Sequence, residues 1–192
     1  AIELINSDDE GSPFDVSIKD WFALLNAGNH VMAAGSSDSH AVYVPTGLGR
    51  TWVKSKTDVP SKATQRRIAA NIRDGHSSAA LGLFGVVEIN GKGSGEQLKQ
   101  PMSGLNLSFR MAHASWADVY HIDVYVNGEV VHQIEVPPHK DIAFDKTFNH
   151  TLADVEQDSW VVCVAYGKRP GAWWATDFPE LYFASSPIFI KK

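Results

Sequence analysis

Asp38 and His40 are the two residues of this 192-residue sequence whose types and spacing point most directly to chemistry. They close the segment Gly35-Ser36-Ser37-Asp38-Ser39-His40. A carboxylate oxygen and an imidazole nitrogen both ligate divalent metals, and residues two apart in an extended chain point the same way. Gly35 and the small Ser36 and Ser37 allow a tight turn around an ion. The plainer reading is a solvated turn in which Asp38 bonds to nearby backbone. Arg50 follows in a loop, where a guanidinium can hold an anionic substrate group through two parallel hydrogen bonds or serve in a structural ion pair. Asn6 ends a short apolar run and would share a rim with Asp38, either touching substrate or capping a loop.

The elements that position these residues alternate in type over residues 1–77. Ile2-Glu3-Leu4-Ile5-Asn6 reads as a strand, followed by a polar loop to Pro13. From about Val16, Ile18, Trp21, Phe22 and Leu25 recur at helical spacing, and Gly28 stops the helix. Val31-Met32-Ala33-Ala34 reads as a short buried strand, so Asp38 and His40 lie just past its carboxyl end, where parallel α/β folds collect functional residues. Ser36 to Val59 reads as irregular. A second helix spans about Ser61 to Asp74, with Ile68, Ala69 and Ile72 on one face and Gly75 as its stop. Strand and helix in alternation indicate parallel α/β units.

Residues 78–192 lose the helical period. Leu83–Ile89, Leu105–Ala114, His121–Val126, Val130–Val136, Ile142–Phe148, Trp160–Tyr166 and Ser186–Ile190 read as strands, several with the alternation of a half-buried sheet. Asn127-Gly128 between two such runs is a hairpin signal, because a type I′ turn needs positive φ at both central residues. About seven short strands in this span predict an immunoglobulin-like or fibronectin-like antiparallel β-sandwich. The fold class is therefore α/β plus all-β, divided near residue 78 with the two parts packed together.

With 17 basic and 22 acidic residues the chain carries a formal charge of −5, and no basic stripe argues for nucleic acid. No apolar run of about eighteen residues suggests a membrane span. Cys163, the single cysteine, sits in an apolar run and reads as a buried structural thiol. His30 falls before its strand, on the rim opposite Asp38. His76, His113, His121, His132, His139 and His150 lack ligand-like spacing and read as surface or half-buried. Trp173 and Trp174 suit a sugar-stacking platform or interface packing, and Trp21 and Trp116 suit the core.

The order of Ile2–Asn6, Asp20-Trp21-Phe22-Ala23-Leu24-Leu25-Asn26-Ala27-Gly28, Gly35–His40, Gly49-Arg50-Thr51 and Ile72-Arg73-Asp74-Gly75 resembles that of PHP-domain proteins, the polymerase and histidinol phosphatase superfamily. The resemblance is to the CehA/McbA-like metallohydrolase branch. It covers most of the chain, most specifically residues 20–51. It implies the C-terminal remnant of a (β/α)7 barrel followed by a β-sandwich. It also implies a metal site of zinc, manganese or iron that activates water against a small-molecule phosphoester or ester. Asp38 and His40 match the family's last metal motif, and Arg50 and Asn6 become candidate substrate contacts. The family's early His-x-His pair and its further ligands have no counterpart here. Two ligands fall short of a stable site. The chain is therefore expected to be inactive alone, to bind metal weakly, and to be a fragment whose exposed strand edges favour self-association. The alternative expectation is a non-catalytic sandwich module binding carbohydrate or protein through Trp173 and Trp174, beside a degenerate barrel remnant.

Overall fold

The apolar run Leu4-Ile5 and the small residues of Ala33-Ala34-Gly35 set the first layer of the molecule. The computed structural model describes residues 1–6, 14–40, 42, 46–101, 104–139, 142–168 and 180–192. In it β1 (Ile2–Asn6) and β2 (Ala33–Ser36) pair in parallel, joined by α1 (Phe14–Asn26). This is the crossover unit that the strand and helix pattern predicts. β2 begins two residues later than the apolar run suggested.

α1 buries Phe14, Ile18, Trp21, Phe22 and Leu25 on one face. The indole N–H of fully buried Trp21 donates to the Val31 carbonyl at 2.7 Å, tying the helix to the approach to β2. Gly28 takes a positive φ of 80° just past the helix, the stop that its sequence position predicts.

The second half of residues 1–77 differs from expectation. β3 (Gly49–Val53) occupies part of the span read as irregular. A short 3₁₀ turn at Pro60–Lys62 precedes α2 (Gln65–Arg73), which leads into β4 (Ser77–Leu81). β3 and β4 are antiparallel neighbours, so α2 is no parallel crossover. None of its residues is fully buried, and Ile68 is 39% exposed. The expected apolar face of this helix therefore contributes little to the core.

The remaining strands are β5 (Phe84–Ile89), β6 (Lys92–Gly93), β7 (Gln97–Lys99), β8 (Leu105–His113), β9 (Asp118–Val126), β10 (Glu129–Glu135), β11 (Phe144–Leu152), β12 (Ser159–Lys168), β13 (Glu180–Ser185) and β14 (Ile188–Lys191). One sheet has eight strands, in the order β10-β9-β12-β13-β4-β3, with β14 beside β12 and β7 beside β14. The other runs β11-β8-β5-β6. Phe109 of β8 and Phe183 of β13 meet across the two sheets at 5.6 Å between ring centroids. The antiparallel sandwich expected from the strand pattern is present. Residue 78 lies inside β4, which pairs with β3 on one side and β13 on the other.

α1 lies on the outer face of the eight-stranded sheet. Phe22 packs on Tyr125 of β9 and Trp160 of β12, and Phe14 stacks on Tyr182 of β13 at 4.3 Å. Covered on both faces, β12 has no need to alternate, which is why Trp160-Val161-Val162-Cys163-Val164-Ala165 is a continuous buried apolar run. Cys163 is fully buried and its thiol pKa is raised by burial alone. Asn127 and Gly128 have φ of 52° and 90° in the β9–β10 turn, the hairpin predicted there. Among the described residues no helix is long and apolar enough to cross a membrane.

Candidate functional site

The parallel pairing of β1 and β2 places their carboxyl ends side by side, with Asn6 opposite Ser36. Two contacts fix the height of that rim. Thr51 of β3 donates its hydroxyl to the Gly35 carbonyl at 2.8 Å and accepts the Gly35 N–H at 2.9 Å. Gly35 lies so close to β3 and β4 that a Cβ there would stand 2.7 Å from the Arg50 carbonyl oxygen and 3.3 Å from the Ala80 nitrogen. Only glycine permits this approach. Across the rim the Ser36 hydroxyl donates to the Glu3 carboxylate.

Beyond β2 the chain turns at Asp38, which has a φ of 44°. Left-handed backbone is strained for most side chains, and aspartate is among the few that tolerate it. The turn brings the Asp38 carboxylate to the end of β1, where the Asn6 amide donates to it at 3.3 Å. His40 returns its Nδ1 to the Asp38 carbonyl at 2.6 Å. A carbonyl only accepts, so Nδ1 carries the hydrogen, and in the neutral ring Nε2 is then the acceptor nitrogen. An imidazole oriented through Nδ1 to a carbonyl is the usual arrangement of a metal-ligating histidine. Asp38 and His40 are both exposed.

In type, this donor set suits a divalent cation: one carboxylate and one Nε2 lone pair. In number it falls short. Among the described residues no group of three or more His, Cys, Asp or Glu side chains is gathered to hold an ion. A closed metal centre needs further donors.

Neither family models nor curated proteins match this chain.

Arg50 is not brought to Asp38 and His40. Neighbouring residues of a strand face opposite ways, and Thr51 faces β2, so Arg50 and Trp52 share the other face of β3. There the Arg50 guanidinium carbon lies 5.2 Å from the Trp52 ring centroid, and its Nε is buried without a hydrogen-bond partner among the described residues. Asn6 does meet Asp38, as their shared rim suggested. His30 is exposed and stacks on Phe189 at 4.3 Å, away from the motif. Trp21 is core and Trp116 packs against it half-buried. Trp173 and Trp174 lie outside the described residues.

The scattered histidines prove to be grouped, which their spacing in the chain conceals. His113 is buried, and its Nε2 faces the Nε2 of His139 at 2.7 Å, with Phe144 stacked on both rings. His121 spans the buried Asp123 carboxylate at 2.6 Å and the exposed Glu135 carboxylate at 2.8 Å. His132 of β10 stacks on His150 of β11 with centroids 3.5 Å apart, bridging the edges of the two sheets. The available sequence signal was strand alternation: His121 and Asp123 are two apart and His132 stands on a run that becomes an edge strand, whereas His150 lies beyond the run Ile142–Phe148 and falls in β11 only because that strand extends to Leu152.

Proposed function

We propose that this chain contributes the Asp38–His40 ligand pair to a metal-dependent phosphoesterase or esterase of the PHP type. The remaining donors would come from polypeptide outside these residues. Within that reading, β1-α1-β2 is the last parallel unit of a (β/α)7 barrel, and the sandwich is the accessory domain of immunoglobulin or fibronectin type. The observation that carries the reading is the convergence of Asn6, Asp38 and His40 at the carboxyl ends of two parallel strands, with His40 Nδ1 turned to a carbonyl. Zinc, manganese or iron suits a mixed carboxylate and imidazole set. When bound with its full ligand set, such an ion supplies an activated water for attack on an ester. The chain's own residues do the positioning. Gly35 and Thr51 set the height of the rim, the turn at Asp38 aims the carboxylate, and Asn6 holds it.

The test is hydrolysis of bis(p-nitrophenyl) phosphate with added Zn²⁺, Mn²⁺ or Fe²⁺. It is measured on the protein in which the other donors are present, beside its Asp38→Ala and His40→Ala variants. Loss of the rate in each variant supports the reading, and unchanged rates overturn it. A metal-dependent rate from the present chain alone, abolished by His40→Ala, would contradict the incompleteness of its ligand set.

A further inference from the structure

Far from Asp38 in the fold, the sandwich has an open seam. β3 is the terminal strand of the large sheet, and the two-residue β6 covers only Glu88 and Ile89 of β5 on the small sheet. A cleft of about 310 Å³ opens between these edges, with Trp52, Phe84 and Val86 among its apolar walls. Trp52 stands edge-on to Phe84 at 5.1 Å and is pinned by its indole N–H to the Leu83 carbonyl at 3.0 Å. Gly85 keeps the seam in place, since a Cβ there would stand 2.7 Å from both Phe109 and Phe183.

The cleft continues, through Lys54, Ser55 and His76, into a polar cavity of about 510 Å³. Lys54, Lys56 and Arg67 line this second part. None of the three forms an ion pair among the described residues. Among the described residues, the carboxylates lining the seam are Glu88 and Glu96. Glu96 is already held by the Gly93 N–H at 2.9 Å and by Lys92 at 3.4 Å. The polar end therefore carries surplus positive charge.

A cleft of this volume, apolar at one end and with a few convergent polar groups at the other, has the build of a small-molecule site.

We propose that the seam binds a small amphipathic anion. Its phosphate, sulfate or carboxylate head sits among Lys54, Lys56 and Arg67, and its aromatic or aliphatic body lies against Trp52 and Phe84. Burial of the body and charge-assisted hydrogen bonds to the head act on one ligand, so neither half alone binds as well.

The test is calorimetric titration of the whole chain with 1-naphthyl phosphate, 1-naphthol and inorganic phosphate. Saturable binding of 1-naphthyl phosphate is expected, with each half-ligand roughly tenfold weaker or worse, a difference of about 1.4 kcal/mol. The double variant Lys56→Gln, Arg67→Gln changes two residues that are exposed, so its thermal transition should match the wild type. It should weaken 1-naphthyl phosphate roughly tenfold and leave 1-naphthol unchanged. Absent binding, equal affinity for 1-naphthol and 1-naphthyl phosphate, or a double variant that binds like wild type would each overturn the proposal.

Discussion

Asn26, the last residue of α1, reaches across to Asn127 in the β9–β10 turn and donates its amide to the Asn127 carbonyl at 3.0 Å. The same Asn26 side chain accepts the indole N–H of Trp160 at 2.9 Å. Asn127 in turn accepts the Trp160 backbone N–H at 3.0 Å and donates to the Ser159 hydroxyl at 3.0 Å. This network fastens the parallel unit to the sandwich through polar contacts at the rim of the Phe22–Trp160 packing.

Removing its centre should loosen that joint. Asn26→Ala deletes two hydrogen bonds and strands the indole N–H of Trp160, which is 5% exposed. An unsatisfied buried donor costs about 1–3 kcal/mol. Urea unfolding followed by Trp fluorescence should show a lower midpoint, while Asn26→Gln should not rescue it, because the longer side chain misplaces both groups. An unchanged midpoint in Asn26→Ala would show that the joint rests on apolar contact alone.

Gly35→Ala tests how the rim is held. Its new Cβ meets backbone atoms of β3 and β4 rather than the end of a flexible side chain, so strand β2 must move. Overpacking of this kind costs about 1–3 kcal/mol. The variant should melt earlier and should also lose any metal response at Asp38, since the turn that aims this carboxylate begins three residues later. Wild-type stability would mean that β2 shifts freely and that the rim is not fixed by this contact.

Mild acid should weaken the fold through its histidine pairs. The His113 and His139 Nε2 atoms face each other at 2.7 Å, so a positive charge on His113 would be disfavoured by the neighbouring ring as well as by burial. The His113 pKa lies below its ordinary value, chiefly through burial, with His139 lowering it further while the Ala114 carbonyl and Asp118 oppose. His132 is lowered in the same direction by burial and by His150. A histidine depressed in the fold binds fewer protons there than in the unfolded chain. Its contribution is complete above about pH 6.5 and declines as the pH falls below that value. The urea midpoint should therefore drop between pH 7.5 and 5, and His113→Gln should flatten the drop. The carboxylates held low by their partners, Glu96, Asp145 and Asp158, lose their contributions at lower pH, outside this window. A midpoint that is constant or rises toward pH 5 would contradict the assignment.

The parts of the fold legible in sequence were those with strong period or turn chemistry. The α1 stripe, the alternating Leu105, Leu107, Phe109 and Met111 of β8, and the Asn127-Gly128 turn each announce themselves. β4 does not, because Ser77-Ser78-Ala79-Ala80-Leu81 is buried throughout and neither alternates nor favours a strand. Its side chains are small because the β1–β2 layer crosses it closely, a tertiary demand invisible from local pattern. β3 was concealed for a related reason: Gly49-Arg50-Thr51-Trp52-Val53 sits in a stretch rich in turn residues and gains its strand character from pairing with β4. For the site, strand ends placed Asn6 and Asp38 on one rim. The facing of Arg50 depended on β3, and the seam beside Trp52 depended on two sheet edges meeting, so neither could be read before the topology was known.

The central claim is that Asp38 and His40 form a metal locus, and titration of Mn²⁺ into this chain while recording amide NMR spectra tests it most directly. Paramagnetic broadening reports proximity to the ion even when binding is weak, as a two-ligand site must be. The signals of Asp38, Ser39, His40 and Asn6 should broaden first, and the variant carrying both Asp38→Ala and His40→Ala should lose that pattern while keeping its fold. If the first signals to broaden lie elsewhere, or the same signals broaden equally in the double variant, the motif is a solvated turn and the metallohydrolase reading falls.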